Sequence, residues 1–310
     1  MTNENKTSVA PLFGEALTGA LQWRLLVIWV VGLLLPTAVM ALPLWNTIGS
    51  VFDHSPHAAE IARRFDLLAL EDLGVVLGRS AAAVGGAMTA SMLLTLLLAP
   101  LLAGVTLTAT GWQRPLGFVG LLQGGLAWYF RMLRLYLVSL VPLAVLVGGL
   151  SAAAFALAKK HAEKALTQTS AESGSTWAMV VTLVVFVLVH ATVEAARAQY
   201  LADERLRSGW RAWARGVRQL FRRPLAVLTL YVGPSLVGFV VAAVLLLVRI
   251  RISAAGFVGF LVGFSCVQLA VAAVGWGRAS RLFALAALAR GGQAAATHPA
   301  ASSAAASLSG

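Results

Sequence analysis

His190, Glu194 and Arg197 fall at i, i+4 and i+7 within one long apolar run, so a helix would carry an imidazole, a carboxylate and a guanidinium on one face. Ionisable groups are costly in hydrocarbon, so such a face turns toward neighbouring helices and finds partners there. Two chemistries fit the set: a hydrogen-bonded cluster that ties the helix to its neighbours, and a relay for protons or a substrate. Gln268, midway along another apolar run, is the neutral partner expected for the three, with Thr106 and Thr108 as further ones. No acid sits centrally in another apolar run, which favours the cluster over the relay.

A second group, Asp53, His54, His57 and Glu60, has donor types suited to a divalent metal. Its spacing matches no metal motif, and Pro56 interrupts any helix through His54, so a hydrated loop is the expectation and no metal is assigned. The phosphate loop, the nucleophile elbow, the HExxH zinc motif and the dinucleotide fingerprint are all missing. The chain therefore reads as non-enzymatic and free of cofactors. Its one cysteine, Cys266, lies in an apolar run and reads as a small packing residue.

The elements that hold these side chains follow from composition. Of 310 residues, 59% are hydrophobic and 12% charged, with a mean hydropathy of +0.82. Soluble domains carry about 25% charged residues, and half that share cannot cover the surface of a soluble body. Six apolar stretches reach the roughly 20 residues needed to cross hydrocarbon. They cover 25–48, 85–109, 132–158, 176–199, 225–248 and 254–276. No ~10-residue alternating segments of a membrane barrel appear. The expected fold is an all-α polytopic bundle of six transmembrane helices over 25–290, with a cytoplasmic segment over 1–24 and a disordered cytoplasmic tail over 291–310. The first stretch resembles a secretory signal in its proline and small residues. The 24 residues before it, Glu15 among them, identify it instead as a span.

Basic residues set the orientation. With the N-terminus inside, the inner segments hold twice as many basic residues as the outer ones, and eight of them (Arg197 to Arg223) fall in one segment. Both ends are then cytoplasmic. The high arginine content, with 24 Lys+Arg against 12 Asp+Glu, and the abundance of alanine and glycine fit a bacterial inner membrane.

The basic segment "SGWRAWARGVRQLFRRP" (208–224) has its own pattern. On a helix Arg211, Arg215, Arg218 and Arg222 share one face, Arg223 follows, and Trp210, Trp213, Val217, Leu220 and Phe221 lie opposite. Such a helix lies in the interface, with guanidinium groups toward phosphates and bulky side chains toward acyl chains. Two roles are expected for it: packing beneath its own bundle, and recruiting anionic lipid or a protein partner from the membrane or cytosol. Nucleic acid is excluded as a partner, because no stacking platform or second module accompanies the arginines.

The layout recurs. Residues 128–142 and 220–234 align without gaps, matching Arg131 to Arg223 and Pro142 to Pro234, with Gly124 and Gly216 matching upstream. Residues 21–36 follow the same course, with one extra residue between Arg24 and Pro36. Three two-span units are inferred, each a basic segment followed by a span interrupted by proline. The stretch from His190 to Pro234 also resembles uncharacterised bacterial membrane proteins related to the membrane domain attached to some glycerophosphodiester phosphodiesterases. In that group a span ends in small residues and an arginine, here Ala195, Ala196 and Arg197, before a basic amphipathic linker. The resemblance implies architecture and no activity, since no phosphodiesterase domain is present in the chain.

The function expected from these features is that of an accessory or lipid-engaging membrane component. A small-molecule or ion transporter using the polar face of the fourth span is the alternative.

Overall fold

The structure, a computed structural model, describes residues 9–52, 67–111, 115–163, 167–203, 205–252 and 256–297. The metal donor set around Asp53 lies outside them. Among the described residues the chain forms nine helices and no strand. They are α1 (Val9–Gly19), α2 (Trp23–Phe52), α3 (Leu67–Arg79), α4 (Ala81–Gly111), α5 (Phe118–Ala162), α6 (Gln168–Ala202), α7 (Gly209–Arg222), α8 (Pro224–Arg251) and α9 (Gly256–Thr297). Six of these (α2, α4, α5, α6, α8 and α9) are long and apolar enough to cross a membrane, and each covers one of the six expected spans, the sixth from Gly256 onward. The protein is a multi-pass α-helical membrane protein. In hydrocarbon every backbone N–H and C=O must be paired within its own segment, and helices of this length achieve that.

Two boundaries differ from expectation. The segment before the third span is continuous with it, so α5 is a single helix of 45 residues, passing through a π-helical stretch at Leu143–Gly148 directly after Pro142. The last helix continues to Thr297, past the point at which loss of periodicity suggested a tail. Alanine-rich sequence lacks bulk for a periodic signal but has the highest helix propensity, so helix persists there.

The spans pack as three consecutive hairpins, α2 with α4, α5 with α6, and α8 with α9. In each hairpin the second helix (α4, α6 or α9) lies toward the centre. The short helical segment before each hairpin rests on the central helix of the preceding unit. The start of α5 lies on α4, where Gly124 faces Thr108. Helix α7 lies on α6, where Gly216 faces the Thr192 carbonyl and the Ala196 backbone. Helix α1 closes the ring on α9: Trp276 Nε1 donates to the Leu17 carbonyl at 2.9 Å, and Gly19 meets the Phe283 ring. The two glycines matched in the sequence thus occupy the same kind of crossing, where a side chain would collide with the partner helix.

Burial is concentrated at one end of the bundle. It covers Pro100–Thr110 of α4, Val189–Tyr200 of α6 and Ala270–Ala289 of α9, with Leu135 of α5 and Leu230 of α8 joining the same core. The opposite halves expose Met88, Met92, Trp177, Met179, Phe257 and Val258. Exposed apolar side chains are ordinary in a lipid solvent, which gives them no drive to pack. The bundle is closed where α1 meets α9 and open between its helices toward the other end.

Candidate functional site

A cavity of about 570 Å³ lies between the six spans, reaching from the closed end toward the open one. Each span supplies wall: Trp29, Leu102, Tyr136, Phe186, Leu236 and Val274 are among the lining residues. Its polar groups gather at the closed end, and His190, Glu194 and Arg197 all face it, as their spacing on one helical face requires.

Glu194 is 2% exposed and carries the charge economy of this end. Its Oε1 accepts from Arg197 Nη1 at 2.8 Å, within α6, and from Arg281 Nη2 at 2.6 Å, across from α9. His190 Nε2 lies 4.0 Å from the same oxygen, and Nδ1 shares a 2.8 Å hydrogen bond with Tyr231 Oη of α8. The Phe186 ring stacks on the imidazole with centroids 5.4 Å apart. Arg281 is held from three sides: Nη2 by Glu194, Nη1 donating to Ser235 Oγ at 3.2 Å, and Cζ lying 4.8 Å over the Tyr231 ring. Burying a carboxylate demands close, hydrogen-bonded cations, and two guanidinium groups supply them.

Gln268, the expected neutral partner, does not line the cavity. It precedes Arg281 by 13 positions on α9, about 20 Å along the axis. The partners are instead Arg281, Ser235 and Tyr231. Arg278 and Arg281 follow the apolar run that ends at Trp276, so in the sequence they read as basic flanks that set topology. The one local hint was chemical: a buried acid needs more than the single arginine on its own helix. Of the two threonines, Thr106 lines the cavity and accepts from Trp29 Nε1 at 3.1 Å. Thr108 donates to the Gly104 carbonyl and packs on Gly124 instead.

The arginine helix α7 starts at Ser208, whose hydroxyl accepts from the Arg211 amide. Its buried seam consists of Gly209, Ala212, Gly216 and Leu220, with Trp213 Nε1 donating to Thr192 Oγ1 at 3.1 Å. The face that packs on the bundle is therefore a seam that the bulky residues do not define. Small residues form the seam because they let α7 approach the α6 backbone. The bulkier Trp210 and Phe221 stand away, 51% and 80% exposed. Arg215 bonds Asp203 at 2.7 Å and holds that carboxyl below its ordinary 3.8. Arg211, Arg218, Arg222 and Arg223 are exposed and have no ion-pair partner among the described residues. A cleft of about 260 Å³ between α7 and α9 is lined by Arg215, Arg218, Arg222, Arg223, Gln199 and Gln219.

These features define a six-span membrane protein with a polar cluster at the closed end of a central cavity and a basic helix docked beside it. No family model, curated protein or solved structure matches the chain.

Proposed function

We propose that the protein is a non-enzymatic, lipid-engaging component of a bacterial inner membrane, with both termini cytoplasmic and α7 lying at the cytoplasmic interface. The observation that carries this reading is the state of the arginines on α7. Arg211, Arg218 and Arg222 on it, and Arg223 just after it, are exposed and have no acidic partner among the described residues, beside the exposed Trp210 and Phe221. Anionic headgroups satisfy such guanidinium groups, each contributing about 1 kcal/mol of attraction near a charged membrane surface. The aromatic rings suit the same depth, since they are apolar bodies that anchor at the headgroup level.

The test is extraction into polymer-bounded native discs, followed by mass spectrometry of the lipid retained by wild type and by the Arg211→Gln/Arg218→Gln/Arg222→Gln variant. Arg215 is left intact because Asp203 occupies it. Enrichment of an anionic lipid that the variant loses supports the reading. Identical profiles reduce these arginines to determinants of topology.

A second reading, small-molecule or ion transport, is favoured by the cavity with the His190, Glu194 and Arg197 face on its wall. It predicts that Glu194→Gln or His190→Ala abolishes flux of a transported solute in proteoliposomes, with the proteins still folded.

A further inference from the structure

Glu194 does not account for all the positive charge around the cavity. Arg197, Arg278 and Arg281 line it together with that one carboxylate. Arg197 and Arg281 share Glu194, and Arg278 has no acidic partner among the described residues. Arg278 is exposed toward the cavity, its guanidinium 6.0 Å above the Trp29 ring. Arg281 is more than nine-tenths buried, and its Nε has no hydrogen-bond partner. A buried donor left without an acceptor costs about 1–3 kcal/mol, more when it is charged. The remaining wall is aliphatic and aromatic: Leu98, Leu183, Phe186, Leu236 and Phe239 continue the cavity away from the arginines. Leu183, Leu236 and Phe239 are exposed there, so this wall opens between the helices to the surrounding hydrocarbon.

We infer that the central cavity binds one anionic amphiphile, with an oxyanion head on Arg278, next to Arg281, and an apolar tail along the wall formed by Leu183, Phe186, Leu236 and Phe239. The charge excludes the alternatives. A cation meets an excess of guanidinium groups, and a neutral apolar guest leaves the Arg278 guanidinium without a counter-charge. A phosphate or carboxylate neutralises Arg278 with charge-assisted hydrogen bonds in a low-dielectric pocket, beside the positive end of Arg281. The volume lies within the roughly 300–1,000 Å³ of small-molecule sites. It therefore takes a head and the first part of a chain, and a longer tail continues through the open side into lipid. The site is separate from α7 and holds whether or not α7 recruits lipid.

The experiment is native mass spectrometry and thermal unfolding of the delipidated full-length protein with four probes: dodecyl phosphate, laurate, dodecanol and inorganic phosphate. A headgroup oxyanion on an amphiphile predicts one-to-one binding of dodecyl phosphate or laurate, a rise in unfolding temperature, and at least about tenfold weaker binding of the other two. Preference between dodecyl phosphate and laurate separates a phospholipid source from a fatty-acid source. Equal binding of dodecanol overturns the assignment of the arginines, and equal binding of inorganic phosphate overturns the role of the tail. Arg278→Gln breaks no ion pair of the fold and weakens the favoured probe about tenfold or more. An unchanged affinity overturns the proposal, and so does failure of all four probes to bind. The α7 triple variant keeps wild-type affinity here, which distinguishes loss of this site from loss of the interfacial one.

Discussion

Glu194 and Arg281, 87 residues apart on α6 and α9, meet at 2.6 Å at the closed end of the cavity, and Arg197 reaches the same carboxylate oxygen at 2.8 Å. The pair joins two of the three central helices by charge. Glu194→Ala leaves both guanidinium groups without their anion, and removing one partner of a buried pair costs about 3–5 kcal/mol. Glu194→Gln retains an acceptor oxygen and loses less. Replacing Glu194 and Arg281 together by leucine is less damaging than the sum of the single changes, because Arg281 is no longer left behind and only Arg197 loses its anion. Thermal unfolding in lipid nanodiscs checks the order, and strictly additive losses would show that the pair does not couple the helices.

Gly216 sets how closely α7 lies on α6. A Cβ there meets the Thr192 carbonyl and the Ala196 backbone, neither of which can swing aside. Gly216→Leu is expected to destabilise by roughly 1–3 kcal/mol and to raise hydrogen exchange along Gly209–Arg222. Gly14→Leu on α1, where no atom lies within 4 Å of the added Cβ, is the control and leaves exchange in α7 unchanged. Equal exchange in the two variants contradicts the close crossing.

Two tryptophans reach threonine hydroxyls between elements, Trp29 to Thr106 and Trp213 to Thr192, each at 3.1 Å. Both bonds are neutral, and interhelical bonds of this kind average about 0.6 kcal/mol in membranes. Thr106→Val and Thr192→Val keep the shape and remove the acceptor, so each lowers stability far less than Glu194→Ala. Denaturant titration of the three variants ranks them, and a threonine variant as damaging as Glu194→Ala refutes the ranking.

Asp203 makes the end of α6 acid-sensitive. The side-chain bond from Arg215, more than any other interaction, holds the carboxyl below its ordinary 3.8. A depressed carboxylate stabilises the folded state fully above its unfolded value, and the contribution is lost as pH falls through the lower folded value. Protection factors of the Ala202, Asp203, Arg205 and Leu206 amides are therefore constant from neutral pH down to 3.8 and fall below it. Asp203→Asn shows the low protection at every pH. High salt has the same effect as acid, since the pair is exposed and screened. Protection that ignores both Asp203→Asn and salt would mean that the ion pair contributes nothing.

The six spans were legible because each depends on its own composition: twenty apolar residues in a row have no soluble alternative and satisfy their backbone locally as helix. The face formed by His190, Glu194 and Arg197 was legible for the same reason, since helical spacing alone aligns it. The matching of Gly124 with Gly216 also survived, because both sit at a crossing that needs a small residue. The tertiary structure decided the rest. It chose Arg281 over Gln268 as the partner of Glu194, since which helix stands opposite depends on how three hairpins close into a ring. It also chose the small-residue seam of α7 as the face that packs on the bundle and left Trp210 and Phe221 exposed. In hydrocarbon a bulky apolar side chain gains little by leaving lipid for protein, so close backbone contact and hydrogen bonds select the packed face, and hydrophobic pattern does not report it.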